Sequence, residues 1–344
     1  MRKLLLFILT VILVLTFTSC TVRKESNLSN DVPLFRMGPA SSFEILSYDE
    51  EDIKNTLLNI DEYNIFVGNL SNADDGQIKE LIELLIKYDV KTVVECGGTL
   101  NHEWGERCGE TSAEIELTTF RRWVSMGGKI DCLFLDEPIG RVTTPLGAGW
   151  GSPDVEYLTY EQQGNELGDY IEAVRAELGD VEIYIGANFP HWGWKGIRAY
   201  LGGDSNPLNR GDYYTALSTA LDCLEKRDIK VTGVQIDNPH EYSGHKGDIS
   251  YSEVIRDVED TVHNLGLKFN MIVNSEGGMK SPQHFARSSL LYLEEYLNGG
   301  AKPDVLTLES WYSYPDKAGP ETEPYTMCNT MLRFMELAKS FYVL

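Results

Sequence analysis

The residues best equipped for chemistry stand where short apolar runs end. Glu95-Cys96-Gly97-Gly98 closes one run, with His102, Glu103 and Trp104 just beyond, and Asp136-Glu137-Pro138 closes the next. Asn188 leads into His191-Trp192-Gly193-Trp194. Asp237 leads into His240-Glu241-Tyr242, Asn274-Ser275 into Glu276, and Glu309-Ser310 into Trp311-Tyr312. Carboxylates and flat aromatic rings recur throughout. Carboxylates gathered around one pocket repel, which raises the pKa of at least one and lets an acid/base pair form. Trp and Tyr faces match the C–H faces of sugar rings, while Asn, His and Asp bond hydroxyls. Such a set suits glycosidic cleavage, in which one protonated carboxyl donates to the leaving oxygen and a second carboxylate assists at the anomeric carbon. One acid after a strand is commonly a helix cap or a solvated loop charge. Four strands ending in acids, with aromatics beside them, point instead to a functional mouth.

These positions are far apart in the chain, so a scaffold must gather them. From residue 33 onward, apolar runs at 34–37, 64–68, 92–96, 132–135, 182–186, 233–236, 269–273 and 305–308 read as strands. Amphipathic stretches lie between them. In 77–87 (QIKELIELLIK) apolar residues recur every three or four positions, the period of a helix with one buried face. The same pattern covers 113–126, 160–178, 213–226, 253–265, 282–297 and, after the last strand, 325–342. Ser281-Pro282 and Asp74-Asp75 punctuate helix starts, and Gly127-Gly128 and Asn298-Gly299-Gly300 punctuate ends. This alternation predicts an α/β fold, a single parallel (β/α)8 TIM barrel over residues 33–344. A doubly wound open sheet is the rival, but Gly38-Pro39-Ala40-Ser41 is no dinucleotide fingerprint. Strand one has an alternative at 43–46. In such barrels the chemistry sits at the C-terminal ends of the strands.

Strand alternation then sorts the acids. Gln235 and Asp237 share a face, as do Asn270, Ile272, Asn274 and Glu276, and also Thr307, Glu309 and Trp311. Polar residues in a buried strand fit the barrel interior, so these faces are expected to point inward. Strand four leaves two options open. Leu133, Leu135 and Glu137 lie on one face and Cys132, Phe134 and Asp136 on the other, and a bulge would present both acids. Arg36 is a candidate to face inward from strand one and hold a carboxylate ionised.

Leu135-Asp136-Glu137-Pro138 resembles the Asn-Glu-Pro that ends strand four in a large clan of retaining (β/α)8 glycoside hydrolases. The resemblance implies Glu137 as acid/base, Glu276 as nucleophile and Trp311 as the aromatic that closes the site. Asp136 stands where that clan has Asn, and Glu309 is an acid beyond its pattern. Phe134-Leu135-Asp136 alone is similar to polygalactosaminidase-like barrels. On this reading Asp136, Asp237 and Glu309 tune the pair and bind hydroxyls. Trp192, Trp194, Trp311 and Tyr312 form ring platforms, and Asn188, His191 and His240 bond the substrate. The substrate is an oligo- or polysaccharide, and no cofactor is called for. One rival is a sugar-binding barrel without a working acid/base pair. Another is a hydrolase holding a divalent cation on Glu95, Asp136, Asp237 and Glu309.

The remaining signals set boundaries. A formal net charge of -23 over 344 residues argues against nucleic acid, whose phosphates need Lys/Arg clusters. Arg2 and Lys3 precede an apolar or Thr run from Leu4 to Phe17, and Thr18-Ser19-Cys20 follows. That is a secretion signal, and its end is similar to the bacterial lipobox, which implies cleavage before Cys20, acylation of Cys20 and membrane tethering, plain secretion being the alternative. Residues 1–20 are then the signal, and polar residues 21–32 the tether. Cys96, Cys108, Cys132, Cys223 and Cys328 show no metal-knuckle spacing and read as mostly buried thiols, a Cys96–Cys108 bridge being the alternative. His102-Glu103-Trp104 lacks the second His of a metalloprotease, and Asp204-Ser205-Asn206 lacks the rest of a calcium loop.

Overall fold

The computed structural model describes residues 32–144, 156–202 and 209–342. The stretches read as signal and tether (but for Val32), Cys20 and Asp204-Ser205-Asn206 lie outside the described residues. Eight parallel strands close into a barrel in chain order: β1 (Leu34–Gly38), β2 (Glu62–Phe66), β3 (Lys91–Cys96), β4 (Cys132–Leu135), β5 (Glu182–Asn188), β6 (Gly233–Asp237), β7 (Lys268–Val273) and β8 (Val305–Glu309). Strand β8 returns to β1 with Leu34 opposite Val305 and Gly38 opposite Glu309. The crossover helices are α1 (Lys54–Asn59), α2 (Asp75–Lys87), α3 (Cys108–Ser125), α4 (Tyr160–Leu178), α5 (Tyr213–Glu225), α6 (Tyr251–Asn264) and α7 (Pro282–Asn298), and α8 (Met327–Ser340) follows β8. The expected (β/α)8 barrel is the observed fold.

Local chemistry sets the element ends. Asp74 and Gln77 form a reciprocal capping box at α2, Thr159 and Gln162 do the same at α4, and the Ser281 hydroxyl caps α7 ahead of Pro282. Strand two starts two residues earlier than the 64–68 run, because Val67 already opens a short helix, Val67–Asn72. The 43–46 alternative for strand one falls on a 3-10 turn, Glu44–Ser47. Helix α1 is short and lacks an extended apolar stripe, so periodicity does not reveal it.

Two apolar layers result. Alternate strand residues such as Leu133, Leu135, Ile183 and Ile236 pack outward against the helices. A small inner cluster of Val93, Cys132, Phe134, Tyr184, Ile272 and Val305 fills the barrel. All five cysteines from Cys96 to Cys328 are buried free thiols, so the Cys96–Cys108 bridge is not formed. No helix among the described residues is long and apolar enough to cross a membrane.

Candidate active site

The barrel floor is polar and interlocked, with Gln235 Nε2 a buried donor left without a partner. Arg36 is fully buried, pairs with Glu62 at 2.8 Å and donates to Gln235 Oε1 at 2.6 Å. Asn270 donates to the same Gln235 oxygen at 2.6 Å, and Thr307 donates to Asn270 at 2.9 Å. The guanidinium lies 5.4 Å from the Tyr184 ring centroid. Arg36 does face inward, as expected, and the carboxylate it holds is Glu62.

Above this floor, the strands' C-terminal ends bring carboxylates together. Asn64 on β2 donates one amide to both Glu95 Oε2 (2.8 Å) and Glu309 Oε1 (2.5 Å). Accepting from one amide, the Glu95 and Glu309 carboxyls lie side by side. Burial first, then the nearby Asp136 charge, pushes the Glu95 carboxyl up to about 7. Burial and Glu95 push Glu309 well above the usual carboxylate range. Asp237 is also raised, by burial, Asp136 and Glu95, while the Asn274 amide donates to it at 2.7 Å and opposes the shift. Asp136 follows β4 on the inner face of Cys132 and Phe134, and Arg141 Nη2 bonds its carboxylate at 2.8 Å. Trp311 is 37% exposed and donates its indole N–H to Glu95 at 3.3 Å. The mouth thus holds carboxyls that keep a proton near neutrality beside one paired with a guanidinium.

Gly38 makes this packing possible. A Cβ at that position would stand 2.5 Å from Glu309 Oε1. Asn188 ends β5 directly opposite Asp237 in register, so it belongs to the mouth.

The other expected site residues have partners of their own. Glu137 lies two residues past the end of β4, with φ of 53°, and its charge helps raise Asp237. Its carboxylate is buried and accepts the Asn188 backbone N–H, the Trp192 indole at 3.1 Å and an ion pair from Arg210. Glu276 sits in a 3-10 turn that breaks the β7 alternation, half-buried on the rim, accepting the Tyr242 hydroxyl. The two carboxylates therefore have separate partners and separate surroundings. Trp192 and Trp194 are each only 1% exposed, packed with Tyr213 at 5.3 and 6.3 Å, and offer no platform to a sugar. His240 turns to α7, where it bonds Ser288 at 2.7 Å and Glu295 at 3.2 Å and stacks on Tyr292. His191 is half-buried in the turn after β5, its carbonyl accepting Arg210 N–H at 2.9 Å. Tyr312 is half-buried on the rim and senses both Asp237 and Glu276.

Asn64, Gly38 and Arg141 are site residues that the sequence motifs did not single out, while Asn274 points inward as expected. Asn64 lies in a polar pattern like those of strands six and seven, Glu62 and Asn64 alternating with Tyr63 and Ile65, and that signal was available. A cavity of about 570 Å³ opens from Glu95 and Asp136 toward the loops after β2 and β3, lined by Phe66, Leu100, Trp104 and Ile115 among others. Among the described residues, no three His, Cys, Asp or Glu side chains are placed to hold a metal ion.

Solved structures share this architecture. GH5_18 from Streptomyces cattleya in complex with GlcNAc has a TM-score of 0.52 at 12% identity, over 91% of this chain and 81% of that one. A D-tagatose 3-epimerase-like protein has a TM-score of 0.46 at 13% identity, over 89% and 96%. For 3-keto-L-gulonate-6-phosphate decarboxylase from Vibrio cholerae the values are 0.44 and 10%, over 91% and 100%. At these identities the likeness is one of fold. No protein-family model and no curated protein matches the chain.

Proposed function

We propose that the protein is a glycoside hydrolase acting on an oligo- or polysaccharide, with Glu95 and Asp136 as its working carboxylates. One observation carries this reading: Glu95, held up to about 7, lies beside the guanidinium-paired Asp136 at the floor of one open cavity. Glu95 gives its proton to the leaving oxygen as the glycosidic C–O bond breaks, and Asp136 supports the positive charge growing at the anomeric carbon. One water is consumed; its hydroxyl ends on the anomeric carbon and its proton restores the pair. Glu309 and Asn64 hold Glu95, Asp237 and Asn188 bond sugar hydroxyls, and Trp311 and Tyr312 supply ring faces. Glu137 and Glu276 take supporting places, Glu137 in fixing the β4–β5 loops and Glu276 on the rim. The basic, apolar and Thr-Ser-Cys20 sequence at the N-terminus supports export and lipid anchoring at a bacterial envelope.

Reducing-end release from a panel of polysaccharides tests the reading. The native protein is expected to cleave at least one of them, and Glu95→Gln to lose more than about a hundredfold in kcat, within the range of general-acid effects. Saturable glycan binding without product would select the sugar-binding rival. Loss of activity with chelator, regained on adding a divalent metal, would select the metal-dependent one.

A further inference from the structure

The cavity beside the carboxylates has walls unlike the rest of the mouth. Phe66 and Val67 at the end of β2, Leu100 and Trp104 in the next loop, and Ile115 on α3 give it a predominantly apolar lining. Its polar lining groups are largely committed within the protein. Glu116 accepts Gly97 N–H at 2.7 Å and the Tyr170 hydroxyl at 2.6 Å. Arg141 binds Asp136, Asn101 accepts Glu103 N–H at 3.0 Å, and Ser71 donates to the Gly68 carbonyl at 2.9 Å. A hydroxyl fully buried against the Phe66, Leu100 and Ile115 walls would lack a partner, at a cost of about 1–3 kcal/mol, so a sugar leaving group would need to turn its hydroxyls to the open side. A flat or alicyclic hydrocarbon would not. At about 570 Å³ the space is in the range of small-molecule sites.

We propose that this cavity is a leaving-group subsite for an apolar alcohol, so that the substrates include glycosides of aromatic or alicyclic aglycones. The proposal rests on the glycosidase reading in one respect, that Glu95 protonates the leaving oxygen. The oxygen of an alcohol seated between Phe66 and Trp104 would then meet Glu95 at the cavity floor.

Gly68 offers a clean handle. It lines the cavity, belongs to the short helix Val67–Asn72, and a Cβ there meets no atom within 4 Å. Gly68→Leu therefore adds an apolar side chain at the cavity rim without a backbone clash. Isothermal titration with benzyl alcohol, and with glycerol as polar control, needs no turnover. Saturable binding of benzyl alcohol alone is expected, weakened about tenfold or more by Gly68→Leu and by Trp104→Ala. Absence of saturable binding, or equal binding in native protein and Gly68→Leu of unchanged melting temperature, overturns the subsite. Second, kcat/KM is compared for benzyl and methyl glycosides of a sugar the protein cleaves. A benzyl preference that disappears in Gly68→Leu supports the leaving-group role, and an unchanged preference overturns it. A protein that binds benzyl alcohol yet cleaves no glycoside refutes the glycosidase reading and leaves the apolar site standing.

Discussion

Glu95 works, in this account, because two neighbours make ionisation costly: the apolar burial around it and the charge of Asp136. A carboxyl titrating at about 7 is protonated in a useful fraction at neutral pH. Activity is therefore expected to fall as pH rises through about 7, giving kcat/KM a basic limb there. In Asp136→Asn the repelling charge is gone, so the Glu95 titration, followed by carboxyl-carbon NMR, should move to lower pH. A titration that stays in place would mean that burial alone sets it. At strand four the sequence could not say which acid belongs inside. Cys132, Phe134, Leu133 and Leu135 are apolar on both faces, so alternation had no polarity contrast to read. Trp192 and Trp194 were legible as neighbours of the mouth, but their burial depends on Tyr213, about one loop further along the chain.

Strands hold these side chains in place by what lies beneath and beside them. The Arg36–Glu62 pair is buried on both sides, with side chains 0% and 2% exposed. Arg36→Met would leave Glu62 buried without its cation and should cost about 3–5 kcal/mol in denaturant unfolding. A loss below 1 kcal/mol would show that the floor relaxes freely. Gly38→Ala places a methyl against Glu309, and overpacking of this kind costs about 1–3 kcal/mol. It should also cut kcat by shifting Glu309 away from Glu95, while KM for bound sugar changes little. Polar residues inside strands were the best guide to orientation: Gln235, Asn270 and Thr307 all point inward and interlock. The guide failed two residues past β7, where Ser275 caps a 3-10 turn and sends Glu276 to the rim. Turn chemistry overrides strand period there.

At the level of the whole molecule, the barrel was legible because most strand–helix units repeat the same change of period, while helix α1 and the Val67–Asn72 helix were too short to register. The converging acids have a cost to the fold. A carboxyl raised in the native state binds its proton more tightly there than in the unfolded chain. Its contribution is fully present below pH about 4.5 and is lost as pH rises through the folded value, about 7 for Glu95. At about 1.4 kcal/mol per unit, that shift is on the order of 3 kcal/mol. The melting temperature should therefore rise as pH drops from 8 to 5, and rise less in Glu95→Gln; equal slopes in the two proteins would contradict the assignment. The proposed mechanism turns on which strand-four acid meets the substrate. Reducing-end release by folded Asp136→Asn and Glu137→Gln, measured side by side on the same cleaved polysaccharide, decides it. The prediction is a loss of more than about a hundredfold in kcat for Asp136→Asn, with Glu137→Gln keeping a far larger share of native turnover. Full activity in Asp136→Asn, with turnover abolished in a stably folded Glu137→Gln, would contradict it.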